Sequence, residues 1–374
     1  MNPGFWNSPA LQFSLRPVDN VIIMIGFLSR AVFCRDRTGK GCALFFLFLI
    51  SAFPISAESQ NVFSPGLIQG AGSRQSIFPS LYFTDYLGAL RSREDSKPYG
   101  VYTEAEMKSS ALNWAGFLSP LLNNDVLAFY GHPNSRNMGI LGRYSIEELD
   151  SRLSALANEY AAVNGGRGVS RAFYLIYGTV WPEGEIGILR EETLLRYIEY
   201  ALAHDILIFL DHQIGRYDPV RSLERMLPYL RYPNVHLALD PEWRTTKPMK
   251  EIGSVSADEI NRAQRAMEDY LTANNLPGER MLVIHQFKPW MISNRSQVLS
   301  NFSQVRLVHC ADGFGNPNQK RVAYASNAEA LNIPVKAFKL FYNFNIPGAG
   351  YDHPLLSPAE VYSLNPRPYV IMYQ

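Results

Sequence analysis

The residues most suited to chemistry are Asp240-Pro-Glu242-Trp243, which close the apolar run Val235–Leu239. Side chains alternate faces along a strand. If the strand continues through Pro241, then His236, Ala238, Asp240 and Glu242 share one face, and both carboxyls point to the same space. Two neighbouring carboxyls interact, and the more buried one has its pKa raised. A carboxylic acid still protonated near neutrality can give its proton to a glycosidic leaving group. This pattern casts Glu242 as a general acid, with Asp240 tuning it or orienting substrate. The competing reading makes Asp240 a turn-opening residue and Glu242 a solvated loop residue.

Other polar residues follow apolar runs in the same way. Asp211 shares a face with Leu207 and Phe209 and heads the stretch Asp211-His212-Gln213. Asp312 follows Val305–Val308 within His309-Cys-Ala-Asp-Gly313. Either Asp211 or Asp312 could supply the second carboxylate that glycoside hydrolysis requires. Each also reads as a cap or turn residue. His132, Gln213, His285, Gln286, His309 and Tyr342 are candidates for binding substrate hydroxyls. Trp243 and Trp181 would suit stacking on a sugar ring, and Tyr130 and Tyr177 are placed to face a ligand. His285 and His309 read equally well as core histidines. A different chemistry is also open. His132, His212, His285, His309, Asp211, Asp240 and Asp312 could ligate a divalent metal for hydrolysis, although no His-x-His or His-Glu-x-x-His spacing is present. Neither a metal nor any other cofactor is expected on the first reading. A non-catalytic carbohydrate-binding barrel is the third.

Eight short apolar runs would position these residues: Val126–Tyr130, Phe173–Tyr177, Ile206–Leu210, Val235–Leu239, Met281–Ile284, Val305–Val308, Ala337–Tyr342 and Tyr369–Tyr373. Each is long enough for a buried strand. Amphipathic segments separate the earlier ones, at Ser145–Val163, Glu191–Ala203, Pro219–Leu230 and Ser256–Asn274. Ser145-Ile-Glu-Glu148 and Ser256-Ala-Asp-Glu259 carry capping-box spacing. Weaker helical stretches lie at 290–300 and 357–363. Strand–helix alternation of this kind predicts an α/β fold, a (β/α)8 TIM barrel with an N-terminal extension, over an open doubly wound sheet. In a barrel the site lies at the C-terminal ends of the strands, where four of the seven His fall. A helix over 103–118, capped by Thr103 and Glu106, would complete the outer ring, because the chain stops at strand eight.

The first 57 residues read as an address. Arg30, Arg35, Arg37 and Lys40 precede the apolar run Ala43–Ile50, and Pro54-Ile-Ser-Ala57 offers a cut before Glu58. That order is a signal peptide's, and the run is shorter than the ~20 residues that span a bilayer. Met24 is the expected start, with 1–23 outside the native frame. Residues 58–100, rich in Ser, Gly and Pro, read as an N-terminal arm, and 101–374 as the barrel. Cleavage would leave Cys310 alone and no internal disulfide. The chain has 374 residues with Lys+Arg 35 against Asp+Glu 34, and it lacks the basic excess of a nucleic-acid binder. The expected location is periplasmic or secreted, with no stable membrane span after cleavage and a carbohydrate substrate as partner.

Several motifs in order resemble a family of exported bacterial proteins built on a glycoside-hydrolase-type TIM barrel. They are Tyr130-Gly-His-Pro133, Gly139-Ile-Leu-Gly142, Leu237-Ala-Leu-Asp-Pro-Glu-Trp-Arg244, Ile252-Gly-Ser-Val-Ser-Ala-Asp-Glu-Ile-Asn261, Leu282-Val-Ile-His-Gln-Phe287, His309-Cys-Ala-Asp-Gly-Phe-Gly315 and the terminal Pro366-Arg-Pro-Tyr to Tyr-Gln374. The resemblance spans about 125–374 and implies the barrel and export, but no substrate or catalytic residues. In strand seven the chain departs from it, reading Phe341-Tyr-Asn-Phe-Asn345 where an acidic stretch is expected. Asp240 and Glu242 are also similar to the Asp-x-Glu of chitinase-like and lysozyme-like barrels, which implies the acid role for Glu242.

Overall fold

The computed structural model describes residues 119–374 and, before them, the backbone of two short antiparallel pairs. The chain divides into two units, Met1–Ser64 and Pro65–Gln374. The pairs lie in the first unit: Pro17–Val18 with Val21–Ile22, and Ala31–Arg35 with Gly41–Phe45. The rest of the expected signal segment, the arm over 58–100 and the helix over 103–118 lie outside the described residues.

All eight expected strands form. They are β1 (Asn124–Gly131), β2 (Gly168–Val180), β3 (Ile206–Gln213), β4 (Val235–Asp240), β5 (Arg280–Gln286), β6 (Val305–Ala311), β7 (Lys336–Leu340) and β8 (Val370–Tyr373). Each pairs in parallel with the next. β8 returns to β1, with Val370 opposite Val126 and Tyr373 opposite Phe129. The sheet is a closed eight-stranded parallel barrel, and closure leaves no edge to template aggregation. Both faces of each strand are covered, so the strands read as near-continuous apolar runs; every residue of β3, β4 and β5 is buried.

The helices between the strands are α1 (Ile146–Ala161), α2 (Glu191–Ala203), α3 (Pro219–Glu224), α4 (Ala257–Ala273), α5 (Pro317–Ala328) and α6 (Pro358–Tyr362). Ser256 and Glu259 close a full capping box on α4, a device worth about 0.5–2 kcal/mol. Three segments differ from expectation. The helix expected over Pro219–Leu230 stops at Glu224 and continues as a 3-10 turn, Leu227–Arg231, with Pro228 in its first turn. Residues 290–300 form two 3-10 turns, Pro289–Met291 and Arg295–Gln297, separated by Asn294 at φ 53°, a conformation that ends a right-handed helix. The third, α5, is missing from the periodicity because its apolar face is weak. Its start is nevertheless legible, since Asn316 and Gln319 form a capping box around Pro317.

The N-terminal end of the barrel is pinned by charge. Asp125, fully buried in β1, accepts from Arg167 Nε at 2.9 Å and pairs with Arg367 from the segment leading into β8. The β1 end of the mouth is pinned by backbone. Gly139 sits at φ 88° where a Cβ would lie 2.3 Å from the Tyr130 carbonyl oxygen, so a side chain there would push the 132–138 loop off the strand. No described helix is long and apolar enough to cross a membrane.

Candidate active site at the C-terminal mouth

Strand alternation decides which side chains enter the barrel. In β3 it sends Asp211 inward, in β5 His285, in β7 Lys339, and just past β6 Asp312. These meet in a buried chain of charge. Tyr130 Oη donates to Asp211 Oδ2 at 2.8 Å. The same Oδ2 stands 3.7 Å from His285 Nε2, and Tyr174 Oη is 2.8 Å from that nitrogen. His285 Nδ1 lies 2.8 Å from Asp312 Oδ2. Lys339 Nζ lies 3.6 Å from Asp312 Oδ2 and 3.7 Å above the Tyr130 ring. Tyr174 itself stacks on Phe209 at 4.9 Å, which fixes the floor beneath the chain.

Above this floor opens a cleft of about 820 Å³, within the range of small-ligand sites. Asp240, Glu242, Asp312, Lys339, Tyr130 and Gln213 line its polar side, and Trp243, Phe287, Phe314 and Phe341 its apolar side. β4 ends at Asp240, and Pro241–Trp243 turns as a 3-10 helix. The strand therefore does not run on through Pro241. Asp240 caps that turn, its Oδ1 accepting from Glu242 N at 3.0 Å. The turn still leaves both side chains on the cleft.

The electrostatics separate the four carboxyls. Burial raises Asp211, overcoming the attraction of His285 and Lys339. Burial raises Asp240 well above the usual carboxylate range, with Glu242, Asp211 and Asp312 adding to it against His285. Glu242 is pushed up to about 7 by burial and then by Asp312, against the pull of Lys339 and His285. Asp312 goes the other way: burial would raise it, but Lys339 and His285 together hold it below the usual value. His285 is pulled down by burial and more than restored by Asp211 and Asp312, so it keeps its proton to higher pH than a free imidazole. The cleft thus holds protonated and ionised carboxyls side by side, the arrangement from which acid and base roles are assigned.

Of the residues singled out in sequence, Asp240, Glu242, Asp312, Gln213 and Trp243 line the cleft, and Asp211 and His285 lie just beneath it. Six others are placed elsewhere. Gln286 and His309 stand one residue out of phase with His285 and Asp312. They face the helices and bond each other, Nε2 to Oε1, at 2.7 Å, while Gln286 also donates to the Lys288 and Pro289 carbonyls. Tyr342 falls on the outer face of its strand's extension and packs at 5.2 Å on Tyr373. Tyr177 sits at the register shift between Ile176 and Gly178 in β2, on the outer face, and donates to the Arg225 carbonyl at 3.4 Å. His132 is taken up by its own loop, its Nδ1 accepting from Asn134 N at 3.1 Å. Trp181, 55% exposed, packs against Gly187 away from the cleft.

The metal alternative meets the same geometry. His212 and His309 face outward, and Lys339 supplies the positive charge among the inner carboxyls. Among the described residues no three His, Cys, Asp or Glu side chains are grouped to hold a metal ion. Lys339 and Tyr174 escaped the sequence reading. The signal for Lys339 was present in the alternation Ala337-Phe-Lys-Leu-Phe341, where a lysine falls on the inward face of a buried strand.

No family model matches the chain, and no curated protein matches it in sequence. Solved structures share the barrel distantly. An oxaloacetate acetylhydrolase in complex with oxalate is 12% identical, covering 70% of this chain and 78% of that one, at a TM-score of 0.40. The catalytic domain of a family GH18 chitinase from the fern Peteris ryukyuensis is 11% identical, with 66% and 90% covered, at 0.38. A chitinase from Ipomoea carnea is 11% identical, with 66% and 94% covered, at 0.37.

Proposed function

We propose that the protein is an exported glycoside-hydrolase-like enzyme acting on a poly- or oligosaccharide by carboxylate general acid/base catalysis. The observation that carries this reading is the contrast between Glu242, pushed up to about 7, and Asp312, held ionised, on one cleft. Below neutrality Glu242 keeps its proton and can pass it to the departing glycosidic oxygen. Asp312, held by Lys339 and His285, supplies the negative charge that an oxocarbenium-like transition state needs or that activates water. Asp240, its pKa raised by burial, is placed to hydrogen-bond substrate hydroxyls beside Glu242. Asp211 acts through Tyr130 and His285 by orienting the floor. Trp243 and Phe314 offer flat apolar faces for sugar rings. Export rests on the basic, apolar and small-residue order before Glu58, and N-terminal sequencing of mature protein starting at Glu58 tests it.

The deciding experiment is Glu242→Gln assayed on a glycan library with circular dichroism as a folding control. Loss of a general acid costs roughly 10²–10⁴-fold in rate. Cleavage undiminished in a folded variant would remove Glu242 from the mechanism.

A further inference from the structure

Asp211-His212-Gln213 sends its middle residue away from the cleft, into a second recess. This pocket, of about 160 Å³, lies at the outer side of β3 between the loops that follow β2 and β3, and Ile186, His212, Tyr217, Arg221, Ser222 and Arg225 line it. We propose that it binds an oxyanion, either a phosphate group or the carboxylate of an acidic sugar, gripped by Arg221 and Arg225. This site is independent of the glycosidase reading.

Three observations carry it. Ser222 is 3% exposed and its Oγ has no hydrogen-bond partner among the described residues, an omission that is unfavourable for a buried hydroxyl unless a ligand or water satisfies it. Arg221 and Arg225 stand four apart at the end of α3 and both line the pocket, so an anion held there meets two positive charges. No carboxyl lines the pocket. Of the acids beside these residues in the chain, Glu224 is not among the lining residues, and Asp218 is committed to Val220 N at 2.8 Å and to Arg262 at 2.9 Å. The third is His212, with its Nδ1–H donating to the Gln213 carbonyl at 2.9 Å, which leaves Nε2 bare in the neutral ring. Its neighbours are Arg225, Tyr177 at 6.2 Å between rings, and the backbone of Gly178, where any Cβ would strike the imidazole. Burial and Arg225 together push His212 down to about 4. A bound oxyanion reverses that field, and two guanidinium forks match oxyanion geometry better than any neutral ligand.

The test follows His212 by NMR and binding by calorimetry, with inorganic phosphate, glucuronate and neutral glucose as probes. Saturable binding of phosphate or glucuronate, together with a rise in the His212 pKa of about one unit, tenfold in proton affinity, is expected. Arg221→Gln and Arg225→Gln alter exposed side chains and should each weaken binding about tenfold. Saturation by phosphate alone identifies a phosphate site, and by glucuronate alone an acidic-sugar site. No saturation by either, equal binding of glucose, or affinity unchanged in the double variant overturns the proposal.

Discussion

Lys339 holds Asp312 ionised from the neighbouring strand, Nζ to Oδ2 at 3.6 Å, while both side chains are almost wholly buried. Asp312 pulls the Lys339 pKa up against burial, and Lys339 heads the influences that bring Asp312 down. Neither charge would be tolerated alone at that depth. The pair sets the field in which Glu242 titrates.

Activity should therefore fall as pH rises through about 7, where Glu242 loses the proton it must donate. Lys339→Met removes a positive charge that lowers both carboxyls. The acid limb, set by Asp312, and the alkaline limb, set by Glu242, should then both move to higher pH, with kcat reduced. A kcat/KM profile from about pH 2 to 9 in each protein checks this, and an alkaline limb that stays in place separates Glu242 from it.

The same shift has a consequence for stability. Glu242 has its folded pKa raised from 4.5 to about 7, so the folded state binds more protons than the unfolded one between those values. Stability is lost as pH rises through that window. Glu242→Gln cannot ionise, so it should be more stable than the parent at pH 8 by about 1–2 kcal/mol after allowing for partial exposure. At pH 4 the two should coincide. Urea denaturation at both pH values measures the difference.

At the opposite end of the barrel, Asp125→Ala should leave Arg167 and Arg367 facing a buried void. Breaking a buried ion pair from one side costs about 3–5 kcal/mol. The loss should appear in the denaturation midpoint, with kcat unchanged in the protein that remains folded, because this end holds none of the cleft residues.

The eight strands were legible because a fully buried parallel strand is apolar on both faces, which leaves short continuous runs such as Ile206–Leu210 or Leu282–Ile284 between the longer amphipathic segments. The α4 box at Ser256 and Glu259 was legible for a local reason, since its hydrogen bonds join residues three apart. What escaped was phase. His309 and Gln286 end apolar strands as visibly as His285 and Asp312 do, yet one residue of register turns the first two toward the helices and the second two into the barrel. Tyr177 went astray in the same way, because Tyr174 and Ile176 share the inward face with Asp211 and Tyr177 falls on the opposite one.

By itself, the sequence determined the strand–helix order, the end of the barrel where polar groups gather, and the pairing of Asp240 with Glu242, all of which rest on contacts between near neighbours in the chain. Tertiary structure alone decided that Lys339, His285, Asp211 and Tyr130, drawn from four different strands, and Asp312, just past a fifth, would share one dry interior. Their pKa values depend on distances across the barrel and on burial from every side, and neither quantity exists until the last strand closes on the first.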